Sequence, residues 1–492
     1  MNQKKNVLIN FIWRFAERCG AQVVQFVVSI VLARLLAPSL YGTIALVTVI
    51  TNILQVFVDS GMGNALIQKK DADDLDFSTV FFFNFTVCSL LYLLMFFGAP
   101  AIAAFYQKPE LVAVIRVLSL TLVISGLKNV QQAYVARSMQ FKKFFFATLG
   151  GTLFAAVLGI ILAVRGYGVW ALVAQQLVNI TIDTCVLWLT VHWRPKLMFS
   201  FERLKTLFSF GWKLLVSSLL DSTYENFRML LIGKVYTEAD LAFFNRGRQF
   251  PNLIIQNINT SIDSVLLPSM SKEQNHIDRV KSMTRRAIKT STYIIIPFMV
   301  GLIVCAVPLI HLILNDQWMD SVPYMRIFAL AYITYPIHTA NLNAMKALGR
   351  SDLFLKLEII KKVMGLSIIM LTLRHGTLIL ACSLLIECAI SLYINSWPNK
   401  ELLGYSFLDQ MKDILPTVLL ASVMGLCIWP VLLLHLSDFV TLLIMVPAGV
   451  VIYLAGSILF KVEAFQNIWG MLSPYVLKVL KRSQNNSIVR YD

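Results

Sequence analysis

Stretches of about twenty predominantly apolar residues, the length that crosses the hydrocarbon core of a bilayer, recur along this chain with only short connections between them. They lie near 10–36, 42–67, 78–104, 111–136, 144–164, 168–191, 205–233, 243–267, 287–314, 323–347, 353–373, 376–397, 412–435 and 438–460. That gives about fourteen spans, or twelve if the last two are peripheral. Lipid offers the backbone no hydrogen bonds, so segments of this length must close their own as helices. The expected fold class is an all-α polytopic membrane protein. Composition agrees: 57% of residues are hydrophobic and 14% charged, against roughly 25% charged in a soluble domain.

The first stretch reads as a retained span. It exceeds the apolar core of a secretory signal, it carries Arg14, Glu17 and Arg18, and no small-residue cleavage site follows it cleanly. Basic residues set the orientation. Loops on the N-terminal side hold Lys4, Lys5, Lys69, Arg137, Arg194, Lys196, Arg279, Lys281, Lys346, Arg350 and Lys412 among others, whereas the opposite loops offer little beyond Lys108, Arg165, Lys234 and Arg374. The positive-inside rule then places both termini in the cytoplasm. The net charge of +16 is mostly this topological signal, with some attraction to anionic headgroups of membrane lipids. Nucleic acid is not an expected partner, because the basic residues are dispersed and no basic domain exists. The seven cysteines all fall within spans, form no CxxC pair and read as apolar packing residues.

A polar pattern is written twice. Thr48, Asn52, Gln55 and Asp59 return as Asn252, Gln256, Asn259 and Asp263, each shifted by 204 positions. Spacings of four, three and four put each set on one helix face. At a shift of 199, Trp13 and Arg14 match Trp212 and Lys213; at 210, Lys128 matches His338 and Gln131 matches Asn341; at 204, Asp183 matches Glu387. Six helices are thus repeated in the same orientation, which defines an N-lobe over 1–200 and a C-lobe over 201–400. Residues 401–463 add two further spans and 464–492 a cytoplasmic tail. Parallel repeats of this kind belong to transporters that bind between their halves.

Ionisable groups near the middle of a bilayer cost about 2.5 to 3.5 kcal/mol each on insertion scales, so a cluster needs partners or a wet cavity. Arg14, Glu17, Arg18, Gln22 and Gln25 share one arc of the first helix. Lys213, Asp221, Tyr224, Glu225 and Arg228 share one on the seventh, and Arg248, Asn252, Gln256, Asn259 and Asp263 one on the eighth. Glu358, Lys361 and Lys362 are spaced for a pair within the eleventh. The pairs Glu17 with Arg14 or Arg18, and Asp221 or Glu225 with Arg228, could simply stitch helices together. Cations nonetheless outnumber carboxylates in the halves nearest the N-terminal side, which suits an anion. The anion-binding candidates are Arg14, Arg18, Lys213, Arg228 and Arg248, with guanidinium groups shaped for phosphate. Asn52, Gln55, Gln256 and Asn259 are candidate polar cavity residues. Glu17, Asp59, Asp221, Glu225 and Asp263 are candidates for a coupling ion, a proton or sodium. The run Asp71, Asp73, Asp74 and Asp76 reads as solvated surface.

The segments SIVLARLLAPSLYGTIALV (29–47), VDSGMGNALIQKK (58–70), the stretch 209–253 containing LLIGKVYTEADLAFFNRGRQFPNL, and LLPSM (266–270) resemble the Wzx-type polysaccharide flippases of the multidrug/oligosaccharidyl-lipid/polysaccharide exporter superfamily. The resemblance covers roughly residues 5–400. It implies carriage of undecaprenyl-pyrophosphate-linked oligosaccharide units across the cytoplasmic membrane for lipopolysaccharide, capsule or other exopolysaccharide, and no enzymatic activity. The alternatives are a cation-coupled drug exporter of the same superfamily, which would favour acidic and aromatic cavity residues, and a membrane polymerase or glycosyltransferase, which needs an acidic metal-binding pair or a large catalytic loop. No cofactor is expected, since neither a Walker sequence nor a dinucleotide-type glycine loop occurs.

Overall fold

The computed structural model describes residues 20–59, 62–69, 71–138 and 140–470. Their order begins with α1 (Gly20–Leu35), α2 (Pro38–Asp59), α3 (Met62–Gln68), α4 (Asp74–Tyr106), α5 (Leu111–Leu118), α6 (Leu120–Arg137), α7 (Phe141–Val164) and α8 (Val169–Thr190). It continues with α9 (Phe201–Val235), α10 (Glu238–Lys272), α11 (Ile277–Val304), α12 (Ala306–Leu314), α13 (Val322–Tyr332) and α14 (Tyr335–Ala347). The last four are α15 (Ser351–Thr372), α16 (Thr377–Leu403), α17 (Phe407–Ile428) and α18 (Asp438–Leu459). Among the described residues nine helices are long and apolar enough to cross a membrane. Helices α9, α10 and α15, of 35, 35 and 22 residues, are long enough but too polar to count among them. These are the helices on which the sequence places charged stripes. Four stretches that read as single spans are broken: 42–67 into α2 and α3, 111–136 into α5 and α6, 287–314 at Cys305, and 323–347 into α13 and α14.

Helix starts follow local chemistry. Asp73 accepts from the backbone N–H of Asp76 at 2.9 Å while the Asp76 carboxylate accepts from that of Asp73 at 3.2 Å, a reciprocal cap for α4. Ser406 and Asp409 repeat the device at α17. The acidic run is therefore not simply solvated surface. Asp76 is fully buried and paired with Lys69 at 2.6 Å, and Asp74 pairs with Lys196 at 2.6 Å.

Two compact units divide between Ala242 and Phe243. In the first, α4, α6 and α8 pack in series, α7 lies along α8, and α2 packs on α6, α8 and α9. Helix α9 thus belongs with the first unit, whereas the sequence reading opened the second lobe at residue 201. In the second unit α11, α14 and α16 repeat the series, α15 lies along α16, and α17 and α18 add to α11 and α12. The apolar cores show the same duplication. Leu66, Phe77, Val130 and Leu187 of one core correspond to Met270, Val280, Ala340 and Leu392 of the other, at shifts of 204, 203, 210 and 205. Large apolar side chains face outward on the long helices, among them Phe97 at 73% and Leu426 at 72% exposure. Such a surface belongs in lipid.

Glycines admit the closest approaches. A Cβ on Gly42 would lie 1.9 Å from the Glu238 carbonyl oxygen, and one on Gly247 would lie 2.6 Å from Tyr324 Cβ and 2.8 Å from the Met325 backbone nitrogen. Gly233, in the LIGK segment, lies where a Cβ would meet Leu46 Cδ1 at 2.4 Å. The YG and LIGK glycines of the resemblance are therefore helix contacts.

Candidate functional site

Helices α2, α6 and α8 of the first unit each carry a polar face. On α2 it is Thr48, Asn52 and Gln55; on α6, Thr121, Ser125, Lys128 and Gln132; on α8, Gln176, Asn179 and Asp183. The α6 spacing of four, three and four is the one first noticed on α2. With Thr148 of α7 these faces enclose a cavity of about 430 Å3. Among the described residues its walls are mostly amides and hydroxyls, with no aromatic side chain and one ion pair.

That pair joins Lys128 Nζ to Asp183 Oδ2 at 3.0 Å. Both side chains are largely buried, 17% and 11% exposed, so neither charge can be removed alone without leaving the other in a poorly solvating place. Asp183 Oδ1 and Thr48 Oγ1 are buried and have no hydrogen-bond partner among the described residues. Buried polar atoms of this kind need a partner. Here they sit on the wall of a polar cavity, where a ligand hydroxyl or amide can supply one. Below the cavity, Asn84 Nδ2 donates to Asn129 Oδ1 at 3.3 Å, and Gln131 Nε2 donates to the Trp193 carbonyl at 3.2 Å. These bonds fix α6 against α4 and the segment after α8.

The equivalent region of the second unit is denser. Asn341, Ser396, Asn399 and Gln410 are buried and bonded to one another. Asn341 Nδ2 donates to Gln410 Oε1 at 2.8 Å, and Asn399 Nδ2 donates to Asn341 Oδ1 at 2.6 Å. His338, at the position of Lys128, makes contacts to Thr334 Oγ1 at 3.1 Å and Asn395 Nδ2 at 3.0 Å. Glu358 and Lys361 form the pair read from the sequence, at 2.5 Å.

Of the residues singled out by sequence, Asn52 and Gln55 meet in the first-unit cavity. Arg14, Glu17 and Arg18 lie outside the described residues, as do the side chains of Lys213 on α9 and Asp59 at the end of α2. Arg228 of α9 is 8% exposed, while Asp221 and Glu225 on the same helix are exposed. In the second unit Arg248 Nε donates to the Tyr332 hydroxyl at 3.1 Å. Asp263 accepts from Asn343 Nδ2 at 2.8 Å, Gln256 is exposed, and Asn259 Oδ1 is buried without a partner among the described residues. The sequence reading passed over Arg246. It is 6% exposed, stacked on Trp318 at 5.1 Å and bonded to Gln249 Oε1 at 2.6 Å. It also left the α6 and α8 faces out of the site. The signal was present as polar residues at helical spacing inside apolar spans, with Lys128 and Asp183 noticed only as members of the repeat.

Comparison with known proteins places this geometry. A family model described as "Polysaccharide biosynthesis protein" matches residues 31–323. The teichuronic acid biosynthesis protein TuaB of Bacillus subtilis is 25% identical over 416 residues, 82% of this chain and 85% of that protein. The succinoglycan biosynthesis transport protein ExoT of Rhizobium meliloti is 23% identical over 327 residues, 66% of each chain. Among solved structures, the lipid II flippase MurJ in an inward closed conformation superposes with a TM-score of 0.73 at 17% identity. The match covers 92% of this chain and 99% of that one, and it establishes a shared fold.

Proposed function

The chain belongs to the polysaccharide biosynthesis protein family, and from that premise we propose that it is a flippase for lipid-linked oligosaccharide units. Its site would be the inner membrane of a bacterium, with both termini cytoplasmic, and its carrier lipid undecaprenyl pyrophosphate. The observation that carries this reading is the cavity walled by α2, α6 and α8. Its hydroxyls and amides, together with the orphaned oxygens of Thr48 and Asp183, match the donors and acceptors of a sugar. A drug-sized organic cation would instead want aromatic faces, and the cavity wall has none among the described residues.

The pyrophosphate would be met by guanidinium and ammonium groups from the set Arg14, Arg18, Lys213, Arg228 and Arg248. Such groups suit phosphate by charge and, for arginine, by bidentate geometry. The coupling ion, a proton or sodium, would be taken by one of Glu17, Asp59, Asp221, Glu225 and Asp263. Asp221 and Glu225, four residues apart on α9, are the first pair to test. Transport by an Asp221→Asn, Glu225→Gln double variant that keeps its ion-gradient dependence would remove that pair from consideration.

The test of the main reading measures lipid-linked oligosaccharide on the inner leaflet of cells carrying single variants. Asn52→Ala, Gln55→Ala and Asn179→Ala should each cause the precursor to accumulate at unchanged membrane levels of the protein. Arg228→Ala and Arg248→Ala should do the same, with partial function in Arg→Lys because the fork is lost. Unimpaired flipping in all three cavity variants would reject the cavity as the sugar site.

A further inference from the structure

Helix α17, with Lys289 of α11 and the segment 460–464 that follows α18, borders a groove of about 710 Å3. Leu415, Leu419 and Val423, four residues apart on one face of α17, line its apolar length together with Phe460. All four are half or more exposed. Lysines rim one end, where α17 begins and α18 ends.

The rim has a fixed part and an open part. Asp413 accepts from Arg285 at 2.7 and 2.8 Å and from the Tyr405 hydroxyl at 2.7 Å, and it pairs with Lys289 at 3.0 Å. Lys289 also reaches Glu463 at 2.6 Å. Both carboxylates are thus engaged by Arg285 and Lys289. Lys412 and Lys461 line the same groove, are exposed, and make no ion pair among the described residues. Of the charged residues that line the groove, three lysines stand against two carboxylates, with Asp409 of α17 also acting on Lys412 through space, and the excess sits at the mouth. Lys461 holds φ at +49°, a left-handed backbone that disfavours any residue with a Cβ. A glycine would be easier there; a lysine brings a charge.

We propose that this groove binds one anionic glycerophospholipid of the surrounding bilayer. Its acyl chains lie along Leu415, Leu419, Val423 and Phe460, and its phosphate sits between the Lys412 and Lys461 ammonium groups. The apolar length alone would take any lipid chain. Selection comes from the unpaired positive rim, which a basic pocket at the end of membrane helices supplies to an acidic headgroup. Flexible ammonium groups suit a single phosphodiester without demanding the planar, bidentate match of an arginine fork. Bound there, the lipid would bridge α17 and the segment that follows α18. This assignment stands apart from the transport reading and does not depend on which substrate the protein carries.

The test uses the full-length protein in nanodiscs of phosphatidylcholine containing a minor fraction of phosphatidylglycerol, with retained lipids counted by native mass spectrometry. The wild type should retain phosphatidylglycerol over phosphatidylcholine. Lys412→Gln with Lys461→Asn, asparagine being tolerant of the left-handed backbone, should lower that preference by about fivefold for each lysine removed. Lys412→Arg with Lys461→Arg should keep it. Val423→Trp, which fills the apolar length and leaves the charges intact, should also displace the lipid. Equal retention of the two phospholipids by the wild type, or an unchanged preference in the Gln/Asn variant, would overturn the proposal. So would stronger retention of added undecaprenyl phosphate than of phosphatidylglycerol at equal amounts, since the groove would then serve the carrier lipid.

Discussion

The two units share a helix order and an apolar core but treat their polar interiors in opposite ways. In the first, α2, α6 and α8 turn hydroxyls, amides and the Lys128–Asp183 pair toward an open cavity. In the second, Asn341, Ser396, Asn399 and Gln410 close on one another at the corresponding place. The position of Gln131 becomes Asn341. Gln131 donates to one backbone carbonyl, that of Trp193, and its Oε1 has no partner among the described residues, whereas Asn341 meets three other side chains, one of them from α17. The two units thus share their helix packing while their polar content differs, an open polar cavity in one and an interlocked cluster in the other. A densely bonded polar network rigidifies its surroundings, although Asn399 Oδ1 of this one has no partner among the described residues.

The largest effect should come from Asp183→Leu, which leaves Lys128 without its partner at the cavity wall. About 3 kcal/mol of stability should be lost, read as a lowered unfolding midpoint in detergent. Lys128→Met with Asp183→Leu should regain most of it. If the cavity is a binding site, that double variant stays folded and still fails to flip; full flipping by it would make the pair a packing device like the network of the second unit.

Next, Asn341→Leu strands buried groups of Ser396, Asn399 and Gln410 and should cost about 2 to 3 kcal/mol. Gln131→Leu, which frees one carbonyl, should cost about 1 kcal/mol. Equal losses at the two positions would break the contrast drawn between lock and cavity. Transport per folded molecule should be unaffected by Asn341→Leu.

Gly42→Ala and Gly247→Ala test the part of the plan that the units share. Each places a Cβ against the backbone of a neighbouring helix, so each should cost about 1 to 2 kcal/mol by overpacking, measured by thermal unfolding of the purified variants. A silent Gly247→Ala beside a damaging Gly42→Ala would show that close packing too has diverged.

The smallest effect concerns the tie between Lys108 and Glu238, 2.6 Å apart in the first unit. Burial pushes the Glu238 carboxyl upward, but hydrogen bonding and charge from Lys108 prevail and hold it below its usual value of 4.5. The stability this gives is present above pH 4.5 and is lost as pH falls through the lower folded-state value. Between pH 5 and pH 3 the wild type should therefore lose slightly more thermal stability than Lys108→Met. Parallel losses would mean that the pair contributes nothing.

The 4-3-4 stripe was legible because a polar residue every third or fourth position in an apolar span can only be one wet face of a helix. It led to Asn52 and Gln55, and both stand in the cavity. The facing stripe Thr121, Ser125, Lys128 and Gln132 has the same spacing and was just as visible, yet its pairing with α8 was not, since residues 128 and 183 become neighbours only when α6 packs on α8. Arg246 and Arg248 show the reverse difficulty. Both are arginines on α10 two positions apart, and only the arrangement around them separates a cation stacked on Trp318 from one bonded to the Tyr332 hydroxyl.

By itself, then, the sequence determined that the chain is helical and built for lipid, that a polar spacing is written twice along it, and that some helix faces are wet. Each of these follows from local rules, the length of an apolar run, its period and the recurrence of a spacing, which need no knowledge of neighbours. Tertiary structure alone decided which polar faces meet, which charges neutralise each other, and that Asp76 is buried beside Lys69 instead of solvated. Those outcomes depend on distances between residues far apart in the chain, and the energy of a charge or a hydrogen bond is set by the partner it finds and by how much water reaches it.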